Sequence, residues 1–284
     1  MLTRRTALAS LALPILARAA PTNSFDGLIQ FGCQTNAWPI RPAESETLFS
    51  ALSSIRQLGF SGFETGFANI VPLRDRGDEL QHHAAGLTPF GVHIFLQHYD
   101  PATSIAPPDL VAEVSTLGAR MGFQRLILSG AAAGDAAALK AKIAGLNRYG
   151  KQVNDLGLKL AYHNHGPEFQ GANPEIESLL SETDPDLVWL VLDAGHAFAA
   201  GADVVSFVTR HYSRLTGLHL RDYRGANQVP LGDGDFPLAA VAKVLRHNHW
   251  SGWALAEEER LDGGKPGNGA AAPAIAALHK AFGA

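Results

Sequence analysis

Short apolar runs alternate with longer segments of helical periodicity along most of the chain. In these longer segments apolar residues recur at steps of three and four, as in Leu48, Leu52, Ile55 and Leu58, which is the spacing of a helix with one buried face. Each short run is apolar throughout and ends in polar residues, as expected of a buried strand. The predicted strands are 28–38, 59–67, 92–100, 124–130, 158–165, 187–196, 215–224 and 253–260.

Eight units of strand and helix predict a single fold. Strands that alternate with amphipathic helices form a parallel sheet covered on its faces. Eight such units in 284 residues fit the α/β class and, within it, a (β/α)8 TIM barrel. No Gly-x-Gly-x-x-Gly follows the first strand, which argues against a dinucleotide-binding sheet. No linker divides the chain, and 263–273 is predicted as the loop before the last helix, so we expect a single domain over 26–284.

The amino terminus predicts export. Arg4 and Arg5 precede an apolar run over 7–17, and a small-residue cleavage site follows at 17–19. This is the pattern of a Tat-type signal peptide over 1–19, so we expect a periplasmic mature protein. The apolar run is shorter than the ~20 residues of an ordinary membrane span. We therefore expect no membrane association after cleavage, with a retained lipid-facing anchor as the alternative.

Composition and charge exclude several classes of function. The chain has 23 Lys and Arg residues against 27 Asp and Glu, a formal net charge of −4, which argues against a nucleic-acid partner. The single cysteine, Cys33, cannot form an intrachain disulfide and is expected in the core. No Gly-x-Ser-x-Gly motif marks a nucleophilic serine. Surface composition does not decide between a monomer and a homodimer.

Polar side chains are concentrated where the predicted strands end, which is where TIM barrels place their active sites. Carboxylates that share a semi-buried pocket repel one another and lose hydration, and a divalent cation relieves both costs. Three carboxylates and a histidine form an oxygen-rich ligand set. We expect one divalent metal ion, manganese first, with zinc, cobalt, iron or magnesium as alternatives. The side chains concerned are Gln34, Asn36, Glu64, His98, Ser129, His163, His165, Glu168, Asp193, His196, His219, Arg221, Asp222, Arg224 and Glu257–Glu259.

Several short motifs carry a resemblance to a known family. The motifs are GFSGFETG (59–66), YHNHGPEF (162–169), LDAGH (192–196), LHLRD (218–222), PLGDGDF (230–236) and GWALAEEE (252–259). Together they resemble the xylose isomerase-like TIM-barrel superfamily of sugar isomerases, epimerases and inosose-dehydratase-like lyases, over essentially all of the mature sequence. The resemblance implies a metal held by one ligand from each of strands five to eight, usually Glu, Asp, His and Glu.

The resemblance places three of the four metal ligands directly. Asp193, His219 and Glu257 fall on the positions of strands six, seven and eight. Asp193 and His219 each follow a continuous apolar strand, where an unpaired charge is costly. An ion pair between these two is the alternative to metal binding, and a solvated charge run is the alternative for Glu257.

The strand-five ligand departs from the family pattern. Many epimerase relatives have a glutamate inside this strand, and here Ala161 lies near the expected place. His163 and His165 share the face of Ala161 by strand alternation, and Glu168 follows just beyond. We take Glu168 as the fourth metal ligand, with His163 and His165 as the alternatives. The departure places in doubt a direct transfer of the two-carboxylate epimerase mechanism.

Catalytic and substrate-binding roles are assigned to the remaining side chains. The catalytic candidates besides Glu168 and Glu257 are Glu64, as a general base or substrate acceptor, and His196, which lies three residues beyond Asp193. A buried ion pair is the alternative for Glu64, and a structural hydrogen bond is the alternative for His196. Substrate contacts are expected from Trp38, His98, His163, His165, Arg221 and Arg224.

These residues predict an enzyme that moves a proton next to a carbonyl. We expect a metal-dependent isomerase or epimerase that acts through an enediolate on a non-phosphorylated sugar, keto-sugar or cyclitol. A lyase or dehydratase that performs β-elimination on a keto-sugar or 3-keto-glycoside is the first alternative. A non-catalytic exported sugar-binding barrel is the second. A phosphorylated substrate is disfavoured because Asp233 and Asp235 occupy the seventh loop, where phosphate-binding barrels use glycine amides.

Overall fold

The computed structural model describes residues 28–259 and 267–283. The predicted signal peptide therefore lies outside the described residues. Eight parallel strands close a barrel, which confirms the predicted architecture. The barrel strands are β1 (Ile29–Gln34), β2 (Gly62–Gly66), β3 (Thr88–Ile94), β4 (Arg125–Ser129), β5 (Lys159–His163), β6 (Val188–Asp193), β7 (Leu215–Leu220) and β10 (Gly252–Ala256). Between β7 and β10, β8 (Asp222–Arg224) and β9 (Asn227–Val229) form a separate antiparallel hairpin. Around the barrel the order is β1-β10-β7-β6-β5-β4-β3-β2.

Helices cover the outside of this barrel. They are α1 (Ser45–Gln57), α2 (Gly77–His83), α3 (Pro108–Arg120), α4 (Ala136–Asp155), α5 (Glu175–Glu182), α6 (Ala194–Ala199), α7 (Val204–His211), α8 (Leu238–His247) and α9 (Asn268–Phe282). The apolar stripe predicted for the first helix is observed, since Leu48, Leu52 and Ile55 of α1 are all buried. The longest helix, α4, begins after Asp135, whose carboxylate accepts hydrogen bonds from two backbone N–H groups of the first turn.

The apolar core has two layers. The larger layer lies between the strands and the helices and includes Leu52, Val92 and Leu218. The smaller layer fills the barrel interior and consists of Phe90, Ile127, Ala161, Val191, Trp253 and Leu255. Because side chains alternate along a strand, the next inward position lies two residues nearer the carboxyl end of each strand. The interior layer therefore forms the floor of the site that is lined by the next inward residue of each strand.

Three predicted boundaries were wrong. The third strand begins at Thr88 and ends at Ile94, whereas 92–100 was predicted. The predicted strand 215–224 is divided at Arg221 into β7 and the first strand of the β8–β9 hairpin. The last helix begins at Asn268, inside the stretch 263–273 that was predicted as a loop.

Among the described residues, no helix combines the length and the apolar character that a membrane span requires.

Candidate metal centre

A layer of polar side chains lies directly on the apolar floor of the barrel. On four strands the inward residue that follows the floor is polar, and two further strands contribute a polar residue at the same level. The floor and polar pairs are Ile127 and Ser129 on β4, Ala161 and His163 on β5, Val191 and Asp193 on β6, and Leu255 and Glu257 after β10, with His219 on β7 and Glu64 on β2. All six polar side chains are buried.

Four of these side chains, His163, Asp193, His219 and Glu257, converge on one point. Each offers one ligand atom, and these atoms all lie within 4.8 Å of one another. His163 Nε2 lies 2.9 Å from His219 Nδ1, 3.7 Å from Asp193 Oδ2 and 3.9 Å from Glu257 Oε2. This buried cluster therefore has the geometry to hold a metal ion.

The lone pairs and charges of the cluster fit a divalent cation. Asp193 Oδ2 and Glu257 Oε2 are buried. Arg221 NH2 lies 3.1 Å from the first and His219 Nδ1 lies 2.5 Å from the second, but neither contact has the geometry of a hydrogen bond. The buried carboxylates of Asp193 and Glu257 share one buried guanidinium, that of Arg221. Two carboxylate oxygens and two imidazole nitrogens at one buried point form a ligand set that suits a divalent ion.

The pKa shifts of the cluster follow from these charges. Burial opposes protonation of His219, but Glu64 and Glu257 outweigh it and raise the pKa of this imidazole well above its ordinary value. Burial also opposes ionisation of Glu257, but Arg221 and His219 lower the pKa of this carboxyl well below its ordinary value. Burial lowers the pKa of His163 to about 4. His163 is therefore neutral, which is the form of imidazole that binds metals.

Glu64 lies beneath the cluster, where both of its carboxylate oxygens are occupied. Oε2 lies 2.6 Å from His219 Nε2, and Oε1 lies 2.7 Å from His93 Nδ1. Burial opposes ionisation, but His219 and His93 outweigh it and lower the pKa of Glu64 to about 2. The structure thus brings Glu64 to the site as an acceptor for two imidazoles, and a carboxylate that holds the outer N–H of a metal-binding histidine orients that ligand.

Arg221 bridges the two carboxylates of the cluster. Its NH2 group lies 2.7 Å from Glu257 Oε1 and 3.1 Å from Asp193 Oδ2. The aliphatic part of the Arg221 side chain crosses Gly195, where any Cβ would overlap Cγ of Arg221. Its NH1 group lies 3.8 Å from Glu259 Oε2, at the more exposed side of the site. The predicted clamp is therefore engaged with the ligands, and contact with a substrate stays a prediction.

Two further imidazoles flank the cluster, His165 after β5 and His196 after β6. His196 Nε2 lies 3.6 Å from Asp193 Oδ2, and its side chain is 28% exposed. The rings of His196 and His165 are 5.1 Å apart. Burial lowers the pKa of His165 to about 2, and its Nδ1 is buried without a hydrogen-bond partner among the described residues. Both predicted residues are therefore beside the cluster, and His196 is the more accessible.

Glu168 is not brought to the cluster. Its carboxylate lies 2.7 Å from the hydroxyl of Tyr162 and accepts the backbone N–H of His165 at 3.1 Å. Burial raises the pKa of Glu168, although Lys142 acts in the opposite direction. The structure places His163, the alternative candidate, at the strand-five position. The prediction of Glu168 as the first choice of ligand is therefore not supported by its placement, since it lies in the short 3-10 helix Pro167–Phe169 with its carboxylate on Tyr162.

Three predicted substrate-binding residues lie further out. Trp38 is half-buried, and its Nε1 donates to Asn268 Oδ1 at 3.2 Å. His98 packs against Phe67 with ring centroids 4.9 Å apart, away from the converging ligands. Arg224 is exposed in the β8–β9 hairpin and donates to the backbone carbonyl of Asp233. None of the three contacts the cluster in the described part of the chain.

The comparison with known families decides which fold family this is. A family model described as xylose isomerase-like TIM barrel matches residues 52–281. The chain belongs to this family.

Relatives within the xylose isomerase-like family are named as enzymes. The chain is 32% identical to an inosose dehydratase of Clostridium tetani over 136 residues, which are 41% of this chain and 45% of that protein. The match therefore spans less than half of the relative's length. Two solved structures share the fold: a sugar phosphate isomerase/epimerase from Parabacteroides distasonis (TM-score 0.69, 18% identity, 94% of this chain and 98% of that chain) and a 3-keto-D-glucoside 4-epimerase from E. coli (TM-score 0.69, 14% identity, 89% and 100%). At such identities these structures show the fold alone.

His93 is a residue of this xylose isomerase-like barrel that the sequence analysis missed. Strict alternation from Phe90, which lies in the floor, would turn His93 outward. The pairing of β2 with β3 shifts register by one residue before Gly91, so that His93 turns inward. A glycine inside a strand is the usual signal of such a bulge, and Gly91 was the available indication.

Proposed function

We propose that His163, Asp193, His219 and Glu257 bind one divalent metal ion, and that the site performs β-elimination on a non-phosphorylated keto-sugar, keto-cyclitol or 3-keto-glycoside. The observation that carries this proposal is the convergence of four buried ligand atoms within 4.8 Å, two of them carboxylate oxygens without hydrogen bonds. When bound, a divalent ion supplies Lewis acidity that polarises a substrate carbonyl and acidifies the neighbouring C–H. The four ligands hold the ion, and the side chains around them move the proton.

His196 is the group that we assign to proton transfer. Imidazole is the side chain most often used as a general base. His196 lies beside the ligand Asp193 and is partly exposed, so a substrate can reach it. It removes the proton from the carbon next to the carbonyl, the C–H electron pair forms a C=C bond, and the bond from the β-carbon to oxygen breaks. The leaving oxygen takes a proton and departs as water or as an alcohol.

Elimination is favoured over epimerisation by where the proton-transfer groups lie. Epimerisation removes a proton from one face of a carbon and returns one to the opposite face, which requires two groups. His165 and His196 lie together at one side of the cluster, while Asp193 and Glu257 are both held by Arg221. The similarity to an inosose dehydratase points in the same direction.

An isomerase or epimerase is the second candidate, and one observation favours it. The Glu259 side chain is 37% exposed on the far side of Arg221, where it accepts a hydrogen bond from Asn36. A carboxylate there is a second group that can return a proton. The same site would then exchange a proton between the two faces of one carbon, or between two neighbouring carbons.

The seventh loop supports a substrate without a phosphate group. Barrels of this type bind phosphate with free backbone amides near strands seven and eight. Here the carboxylate of Asp222 accepts the amides of Gly232, Gly234 and Phe236 at 2.9–3.0 Å, so those donors are already used. Export, which we infer from residues 1–19, would also keep the protein away from cytoplasmic sugar phosphates.

The test is incubation of the metal-supplied protein with a keto-cyclitol (an inosose) and with a 3-keto-glucoside in D2O, followed by NMR. Elimination predicts loss of water or of the aglycone and a new olefinic or enol product. A deuterated epimer would instead support the second candidate. If neither substrate is consumed and neither incorporates deuterium, the proposed chemistry is wrong.

A variant pair separates the base from the ligands. His196→Gln is expected to lower the turnover rate about 100-fold or more while the bound metal is retained, because a general base typically contributes 10²–10⁴-fold. His247→Gln, in an exposed position at the end of α8, is the matched control and should leave the rate unchanged. Loss of metal from His196→Gln would contradict the assignment of His196 as a base outside the ligand set.

A further inference from the structure

A closed ring of five buried side chains lies under the candidate metal centre. Its contacts are Glu64 Oε1 to His93 Nδ1 at 2.7 Å, His93 Nε2 to Ser129 Oγ at 2.7 Å, Ser129 Oγ to His163 Nδ1 at 3.3 Å, His163 Nε2 to His219 Nδ1 at 2.9 Å, and His219 Nε2 to Glu64 Oε2 at 2.6 Å. All five side chains are buried. Water therefore cannot substitute for a mismatched contact in this ring, and each donor must meet an acceptor.

The position of every proton in the ring follows from Glu64. An ionised carboxylate only accepts, so His93 carries its proton on Nδ1 and His219 carries its proton on Nε2. A bound divalent ion repels a second positive charge, so with the ion in place each imidazole, including His219, is neutral and has one bare nitrogen. The bare Nε2 of His93 must accept the hydroxyl proton of Ser129. The oxygen of Ser129 is then left to accept from His163, which therefore carries its proton on Nδ1.

With the ion bound, the chain of donors ends at the two imidazole ligands. His163 is then bare at Nε2 and His219 is bare at Nδ1, and these two nitrogens lie 2.9 Å apart, so both lone pairs are directed to one point. Asp193 Oδ2 and Glu257 Oε2 lie at the same place, and His219 Nδ1 is 2.5 Å from Glu257 Oε2. The ion therefore takes the position that a proton on His219 Nδ1 occupies in the metal-free protein.

We propose that Glu64, His93 and Ser129 are positioning residues that fix the tautomers of both imidazole ligands, so that one carboxylate outside the ligand set prepares two nitrogens for the ion. This inference rests on the proposed function, because it assigns His163 and His219 to the metal. A set of two imidazoles and two carboxylates also prefers borderline ions such as zinc, cobalt or iron(II) over magnesium. This ligand set thus favours a softer ion than the manganese expected from the sequence.

The ring predicts an unusual effect of Glu64→Gln. A carboxamide accepts on one side and donates on the other, so one of its two histidine neighbours must reverse its tautomer. If His219 reverses, its Nδ1 is protonated and cannot bind the ion. If His93 reverses, Ser129 must turn its hydroxyl toward His163, whose Nε2 is then protonated. Either way one imidazole ligand is lost, although neither ligand has been substituted.

Removal of the hydroxyl relay should partly reverse this loss. In Glu64→Gln/Ser129→Ala, His93 can reverse its tautomer without any effect on His163, and both imidazoles stay available to the ion. We therefore expect Ser129→Ala to weaken metal binding in the wild-type background and to strengthen it in the Glu64→Gln background. A merely structural role for these residues predicts additive losses instead.

The experiment measures Zn²⁺ affinity by competition with a chromophoric chelator, together with ¹⁵N NMR of the imidazole nitrogens, which reports tautomers directly. Glu64→Gln is expected to bind Zn²⁺ about 10- to 100-fold more weakly than the wild type, the usual effect of an altered outer partner of a metal ligand. The double variant should bind more tightly than Glu64→Gln. Glu175→Gln removes a carboxylate that is paired with Lys142, outside the ring, and should bind Zn²⁺ as the wild type does.

Three outcomes would overturn the inference. A folded Glu64→Gln protein that binds Zn²⁺ as tightly as the wild type shows that the ring does not set the ligands, while the proposed function stands. A double variant that binds Zn²⁺ no more tightly than Glu64→Gln leads to the same conclusion. If Glu64→Gln fails to fold, the small change Ser129→Ala replaces it as the test, and Zn²⁺ affinity equal to that of the wild type then overturns the inference. A wild-type protein that binds no divalent ion overturns the proposed function first, and the ligand roles with it.

Discussion

Replacing Gly195 by alanine tests whether Arg221 is held in place for the two carboxylates that it bridges. A Cβ on Gly195 would overlap Cγ of Arg221 and lie 3.0 Å from its carbonyl oxygen. The added methyl group therefore displaces the guanidinium, which lies 2.7 Å from Glu257 Oε1 and 3.1 Å from Asp193 Oδ2. We expect the variant to leave both buried carboxylates without this cation.

The magnitude of the effect is the difference between two opposing contributions. Helix propensity alone favours alanine over glycine in α6 by about 1 kcal/mol. Breaking a buried ion pair lowers the free energy of unfolding by about 3–5 kcal/mol, because an uncompensated charge stays buried. The net expectation is a loss of about 2–4 kcal/mol.

The assay is equilibrium unfolding of the metal-free protein in urea, followed by tryptophan fluorescence and far-UV circular dichroism. Gly269→Ala, in α9, is the matched control, because nothing lies within 4 Å of a Cβ built there. The control is expected to be as stable as the wild type or more stable by up to about 1 kcal/mol. A Gly195→Ala protein as stable as this control would refute the idea that Arg221 is fixed by the close approach of the two backbones.

Two further predictions concern charge inside the fold. In the folded, metal-free protein the pKa of Glu64 is lowered from 4.5 to about 2, so its contribution to stability is complete above about pH 4.5 and is lost as the pH falls toward 2. Between pH 5 and pH 3 the free energy of unfolding should therefore fall less in Glu64→Gln than in the wild type. Urea titrations at both pH values measure this fall, and an equal fall in the two proteins would contradict the prediction. Lys142→Met leaves Glu175, which lies 2.6 Å from the Lys142 ammonium, without its buried partner and should cost about 3–5 kcal/mol. Lys151→Met, in an exposed pair with Asp155, should change the urea midpoint little, and equal effects of the two lysine substitutions would contradict the account.

The fold was predictable because alternation of apolar runs and amphipathic helices has few solutions. The predictions failed where the chain departs locally from regular alternation. The bulge at Gly91 turns His93 inward, and period-two reasoning cannot anticipate such a shift. At Arg221 the chain leaves the barrel, so one apolar run contains two strands.

The site was predictable where a polar residue follows an apolar strand without interruption. Asp193, His219 and Glu257 meet this condition, and the structure brings all three to one point. Glu168 lies beyond the end of β5, where strand alternation no longer fixes the direction of a side chain. A short 3-10 helix turns its carboxylate onto Tyr162, and His163 takes the place in the cluster.

The central claim is that His163 and three other buried side chains hold a divalent ion. Its most direct test is elemental analysis of protein purified without chelator, for the wild type, His163→Ala and Glu168→Ala. The account predicts about one zinc, iron, cobalt or manganese ion per wild-type chain, lost in His163→Ala and retained in Glu168→Ala. A metal-free wild type that gains no thermal stability from added divalent ions, or a metal that is lost only in Glu168→Ala, would contradict it.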